Sequence, residues 1–230
     1  PDEVIQILEQ YLNDGGRLFI ALEPGSGLKF RRFLTNIGLV VGNNVVLDPN
    51  GFQIPFRPIV EDFHEHVITS DFDFGLVFHV ASSVRATPNQ HQGWISAELG
   101  VTGADAWLET DLENLESNTG EFDPQKHQRQ SVPIIAVAEQ VDDIQDSETA
   151  KGRVIAVGDS DFISNIFLQT LAAHEPFAMN VFHWLADEKE LIAIPPRRQI
   201  SQPLLLNKSQ ITLGILITVF ILPLFMALLG

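Results

Sequence analysis

Arg153-Val-Ile-Ala-Val157 runs directly into Gly158-Asp-Ser-Asp-Phe-Ile-Ser-Asn165. The first five residues, mostly β-branched and apolar, predict a buried strand, and Gly-Asp-Ser-Asp predicts its exit turn. A helix or helix pair to Ala186 follows, with Pro176 placed to open its second part. Phe177, Val181, Trp184 and Leu185 recur at helical spacing and supply an apolar face. A strand that leaves through a polar turn into a helix is one unit of an α/β fold.

The same unit is visible at the other end of the chain. Val4, Ile5, Leu8 and Leu12 give Asp2 to Asn13 a helical period, and Asp14-Gly15-Gly16 stops it. Arg17 to Leu22 reads as a short buried strand, Pro24-Gly-Ser-Gly27 as a loop, and Leu28 to Ile37 as a helix capped by Gly38. This helix–strand–helix order predicts a piece of a parallel sheet whose first strand lies upstream of Pro1. Asn43–Leu47, Gly75–Ala81, Val132–Ala138 and Ile192–Ile194 read as further strands. Asn50 to Phe63, with three Phe and two Pro, suggests an ordered loop, and the polar stretch Glu109 to Arg129 a surface loop.

Charge divides the chain. Of 230 residues, 30 are acidic and 14 basic, a net of −16, and Cys is absent. Residues 1–196 hold all 30 acidic but only 11 basic residues, a net of −19. Such a body repels phosphate and excludes nucleic-acid binding as its role. Lacking Cys, it has no disulfide, thiolate zinc site or Cys nucleophile. Ile211 to Leu229 is uncharged and almost wholly apolar, long enough at 1.5 Å per residue to span about 30 Å of hydrocarbon. It predicts one C-terminal transmembrane helix, Pro223 being tolerable as a kink. Three units follow: a soluble domain over 1–196, a juxtamembrane segment over 197–210 and the membrane helix over 211–230. Arg197, Arg198 and Lys208 on the body side would put that body in the cytoplasm.

The residues with chemistry to offer are Asp159, Ser160, Asp161 and Asn165. They stand at the carboxyl end of a predicted parallel strand, where open α/β sheets bind ligands. Carboxylates and hydroxyls there could hold a metal or a sugar hydroxyl. Equally, Asp161 or Ser164 would cap the next helix while Asp159 bonds a nearby loop amide. His64-Glu-His66 places two imidazoles on one side of an extended segment, but no third ligand is identifiable, so no metal site is expected. Asp142, Asp143, Asp146 and Glu148 lack the glycine and spacing of a calcium loop and read as a solvated face. Gly25-Ser-Gly27 lacks the Gly-Lys-Ser/Thr of a phosphate loop, so ATP is not hydrolysed here. No nucleophile elbow is present, no catalytic residue is assigned and no cofactor is expected. His174 and His183 flank the last helix in packing or surface roles.

The ordered set of motifs resembles the auxiliary component of gliding-motility-type ABC transport systems. It comprises Leu8-Glu-Gln-Tyr-Leu-Asn-Asp-Gly-Gly-Arg-Leu-Phe-Ile20, Val46-Leu-Asp-Pro49, Ala106-Trp-Leu-Glu109, Val157-Gly-Asp-Ser-Asp-Phe-Ile-Ser-Asn165 and Phe177-Ala-Met-Asn-Val-Phe-His-Trp-Leu185. The resemblance implies a Rossmann-like, amidotransferase-like, mainly parallel sheet with flanking helices, related to one in intraflagellar transport proteins. It implies a non-enzymatic subunit beside an ABC-2 permease and its ATPase in the inner membrane, its domain facing the periplasm and a cell-envelope component. That orientation opposes the basic collar. Two other readings stand beside it: a membrane-tethered glycan- or solute-binding module, and a membrane-tethered hydrolase or amidotransferase-like enzyme using Asp159, Ser160 or a His.

Overall fold

β10 (Arg153–Val157) lies between neighbours of opposite sense. It pairs in parallel with β1 (Arg17–Ala21), from Arg17↔Arg153 to Ala21↔Val157, and antiparallel with β9 (Pro133–Gln140). The computed structural model describes residues 2–70, 72–87, 93–113, 115, 120–141, 152–187, 208–221 and 223. Beyond β9 the sheet continues through β7 (Trp94–Thr102) and β4 (Ile59–Phe63) to β5 (Leu76–Val77), every contact antiparallel. Its six strands stand in the order β1-β10-β9-β7-β4-β5. Two smaller ladders complete the body: β2 (Leu39–Val41) with β6 (Val84–Ala86), and β3 (Val45–Leu47) with β8 (Trp107–Glu109). The last ladder joins two stretches of the resemblance, since Leu47 stands opposite Trp107.

The expected Rossmann-like, mainly parallel sheet with flanking helices is therefore not what forms. The sheet is mixed and curved as a half-barrel, strands dominate it, and β1–β10 is the one parallel pair among the described residues. The physical reason lies in β9 and β10. Residues 133–138 of β9 and all of β10 are buried, so both read as the continuous apolar runs of a parallel sheet. Burial on two faces fixes that pattern; strand direction does not. β7, the longest described strand, interrupts its apolar run with Ser96, Glu98 and Gly100, so its hydropathy hides it. Its register shifts beside Gly100, where an added Cβ would come within 2.8 Å of Val60 Cγ1.

The helices fall where the apolar periods put them. α1 (Asp2–Asn13) and α2 (Leu28–Asn36) pack Leu12, Phe33 and Leu34 onto Val154, Ala156, Ala136 and Ala138. Gly38 follows α2 with φ 85, the left-handed residue that ends a helix cheaply only as glycine. On the other face, α4 (His174–Ala186) packs Phe177, Val181, Trp184 and Leu185 against Ile155 and Val157. A 3-10 turn (Asp161–Ile163) and α3 (Asn165–Thr170) connect β10 to α4. Of the segment expected to loop between Asn50 and Phe63, the last five residues are β4. The described part of 110–129 forms no strand, yet it is anchored: His127 Nε2 lies 3.3 Å from Glu109 Oε2, both side chains buried.

The expected membrane helix is also corrected. α5 (Lys208–Ile215) is followed by π-helical Leu216–Ile221, so the regular α-helix ends after eight residues. Among the described residues no helix is long and apolar enough to cross a membrane. The Ile192–Ile194 strand, the acidic run 142–148 and the pair Arg197 and Arg198 lie outside the described residues.

Candidate functional site

At the carboxyl ends of the single parallel pair, β1 and β10 deliver Glu23 and the Asp159–Asp161 turn to one place. The turn is forced into position by Gly158. Its peptide abuts Ser82 so closely that a Cβ would sit 1.9 Å from the Ser82 carbonyl oxygen, and Ser82 N–H donates to Gly158 O at 2.7 Å. The Ser82 hydroxyl is fully buried and finds no hydrogen-bond partner among the described residues.

Asp159 points inward and is wholly buried. Its Oδ2 accepts from His79 N–H and its Oδ1 from Asp161 N–H, each at 2.7 Å. Burial pushes its carboxyl up to about 7; the two N–H donors pull the other way, and the charges of Glu23 and Asp161 add to the rise. Ser160 turns outward, and its N–H and O–H both donate to Glu23 Oε1, at 2.7 and 2.5 Å. Asp161 is exposed, with Oδ2 3.4 Å from His79 Nδ1. Among the described residues no Lys or Arg pairs with Glu23, Asp159 or Asp161. Three carboxylates thus converge with a hydroxyl and an imidazole, while the Arg31 guanidinium beside them donates to the Glu23 backbone carbonyl at 2.7 Å and not to a carboxylate.

The other reading of this turn is also realised, in part. Ser164 Oγ accepts from Phe167 N–H at 3.4 Å and caps α3, and Asp159 bonds the loop amide of His79. Asn165 is the first residue of α3 and is exposed beside the turn. Glu23 and His79 complete the cluster and were not singled out by sequence. Glu23 carried a signal, since it follows a predicted strand at its carboxyl end; His79 carried none.

The remaining titratable candidates are structural. His174 is fully buried: Nδ1 bonds Phe162 O at 3.0 Å and Nε2 accepts from Val77 N–H at 3.2 Å, which assigns a neutral ring with its proton on Nδ1. Burial lowers it to about 4, against the pull of its bond to Phe162 O. His64 and His66 face different partners, Glu98 O at 2.9 Å and Glu139 Oε1 at 3.9 Å. No group of three or more ligating side chains fit to hold a metal occurs among the described residues. A cavity of about 190 Å³ between α1 and α2, floored by Trp94, is smaller than small-molecule sites usually are.

A family profile described as "ABC-type uncharacterized transport system" matches residues 1–186, a span that takes in every described element from α1 to α4. The chain belongs to this family of ABC transport auxiliary components. It is thereby an auxiliary component of an ABC-type transport system, in keeping with the resemblance drawn from the motifs. No curated protein matches it. Among solved structures it is similar to the mmIFT52 N-terminal domain at 15% identity and TM-score 0.56, over 80% of this chain and 71% of that one. It is also similar to the cytoplasmic protein STM1381 from Salmonella typhimurium LT2, at 16% identity and TM-score 0.45, over 80% of this chain and 61% of the other. At such identities the likeness to the mmIFT52 domain speaks to the fold alone.

Proposed function

We propose that this family member is a non-enzymatic subunit of an ABC-2-type export system, working beside the permease and ATPase at the inner membrane with its body on the periplasmic side. The observation that carries the reading is the family match over 1–186, which takes in every element from α1 to α4. Within that role the surface formed by Glu23, Ser160, Asp161 and Asn165, backed by the buried Asp159, presents cargo. Uncompensated carboxylates with adjacent hydroxyl and imidazole groups accept hydrogen bonds from a polyhydroxylated solute or glycan. Hydrolysis is the weaker alternative, because the Ser160 hydroxyl donates to a carboxylate and is not held by an imidazole base.

Affinity purification of the full chain from a detergent extract of its native host tests the role. A permease and an ATPase should come with it in fixed ratio; recovery of the chain with neither overturns the proposal. Glu23→Gln with Asp161→Asn separates the two finer parts. The double variant should keep the complex and lose transport if the crevice presents cargo, and keep both if the domain only assembles the complex.

A further inference from the structure

β1 is an edge strand with bonding groups to spare. Arg153 N–H donates to Gly16 O and Leu22 N–H to Val157 O, so in this parallel ladder residues 16, 18, 20 and 22 turn their backbone groups to β10. Arg17, Phe19 and Ala21 turn theirs outward. The Tyr11 hydroxyl takes the outward carbonyl of Arg17 at 3.2 Å. Among the described residues no strand pairs with this edge.

Both helices beside the edge are apolar on the side away from the core. α1 already buries Leu12 inward, yet Val4, Ile7 and Tyr11 form a second stripe, 41%, 66% and 48% exposed. Tyr11 ties that stripe to the edge through its bond to Arg17. On the other face, α4 exposes Met179 (47%) and Phe182 (44%), and the Phe182 ring sits 5.8 Å from that of Phe19 on β1. An unpaired strand walled by two apolar stripes is a liability that soluble proteins normally cover.

We infer that a second copy of this chain covers it, β1 pairing antiparallel with β1 about a two-fold axis through Phe19. Three features favour this occupant. With Phe19 opposite Phe19, the outward N–H and C=O of each bond the other, and both rings fall on the face that carries α4. α4 sits over the β1–β10 seam, tied there by Arg17 and Arg153 to the Leu185 and Trp184 carbonyls. With strands about 4.8 Å apart, the two α4 helices then lie about 10 Å from each other, the separation at which helices pack. Last, the five stripe side chains bear no charge, so the net −16 is not concentrated at the joint. Counted on both copies, they bring the covered area to roughly the 1,000 Å² a specific interface needs. The interface is isologous and closes on itself, which ends association at two.

The test is the mass of the full chain in detergent by sedimentation velocity or light scattering. The wild type should weigh twice the 25.5 kDa of one chain, detergent subtracted. Ile7→Asp with Phe182→Asp should return it to one chain, weakening association at least about tenfold, with an unchanged circular dichroism spectrum. Because the chain has no Cys, a second arm is clean: Phe182→Cys should cross-link to itself with a short bis-maleimide, and Ile95→Cys on β7 should not. A monomeric wild type overturns the proposal and leaves the edge to some other strand. So does a double variant that stays dimeric, which would assign association to the apolar C-terminal run, or equal cross-linking of the two Cys variants.

Discussion

The two ends of β10 carry charge in opposite ways. At the amino end, Arg153 is 7% exposed and ion-paired: its Nη1 donates at 2.8 Å to both Trp184 O and Asp187 Oδ1, and its Nε lies 3.3 Å from Glu139 Oε2. Arg17 joins the same Asp187 at 3.7 Å. At the carboxyl end, six residues further on, Asp159 is buried beside Glu23 and Asp161 with backbone amides, a hydroxyl and an imidazole for company. The first arrangement neutralises its charge and fastens α4 to the sheet. The second has no ion-paired cation among its carboxylates, and its buried member is held by two backbone amides while burial raises its proton affinity. That carboxylate cluster at the mouth of the parallel pair is what motivates the cargo-presenting role proposed above.

Among side-chain removals, breaking the amino end should cost most. Arg153→Met removes the cation from between two carboxylates and the Trp184 carbonyl, and should lower unfolding free energy by about 3 kcal/mol in urea titration. A loss under about 1 kcal/mol would mean that the buried guanidinium is not what holds α4 down.

The second prediction opposes Asp159 to His174. Asp159, raised to about 7, binds its proton more tightly folded than unfolded, so its contribution to stability falls as pH rises from about 4 to about 7. His174, lowered to about 4, binds its proton less tightly folded, so its contribution is lost as pH falls from about 6.5 to about 4. Over one window the two slopes oppose, so in the wild type these two contributions largely offset each other. Asp159→Asn should expose a stability that rises with pH, and His174→Gln one that falls with pH, each by on the order of 3 kcal/mol. Thermal or urea melts from pH 4 to pH 7.5 read both. Parallel slopes in the two variants would break the assignment.

Legibility in the sequence follows the same division. Helices announced themselves: α1, α2 and α4 stand within a residue or two of their apolar periods, because a helix face is written in one continuous segment. The strand runs 17–22, 132–138 and 153–157 were legible for the same reason. Their directions were not, because burial on both faces gives β9 and β10 the same composition a parallel strand would have. β7 was hidden by Ser96, Glu98 and Gly100. In the site, Asp159 to Asp161 could be read as a strand-end turn, but Glu23 arrives 136 positions earlier in the chain and His79 from an irregular loop. Their meeting depends on β1 pairing with β10, which no local pattern encodes.

A smaller effect separates the outer part of the crevice from its floor. Ser160→Ala loses one hydrogen bond at an exposed position and should change stability by less than about 1 kcal/mol, while Gly158→Val, which drives a side chain into the Ser82 peptide, should unfold the domain. Equal tolerance of the two would show that the Ser82 approach is not a real constraint.

The central claim is that the carboxyl end of the β1–β10 pair serves transport and its amino end serves the fold. The most direct measurement is transport by the intact system, in its native host, carrying Glu23→Gln with Asp161→Asn. With the variant subunit present at wild-type level and still bound to its permease and ATPase, transport should fall at least about tenfold. Undiminished transport by that complex would contradict the account.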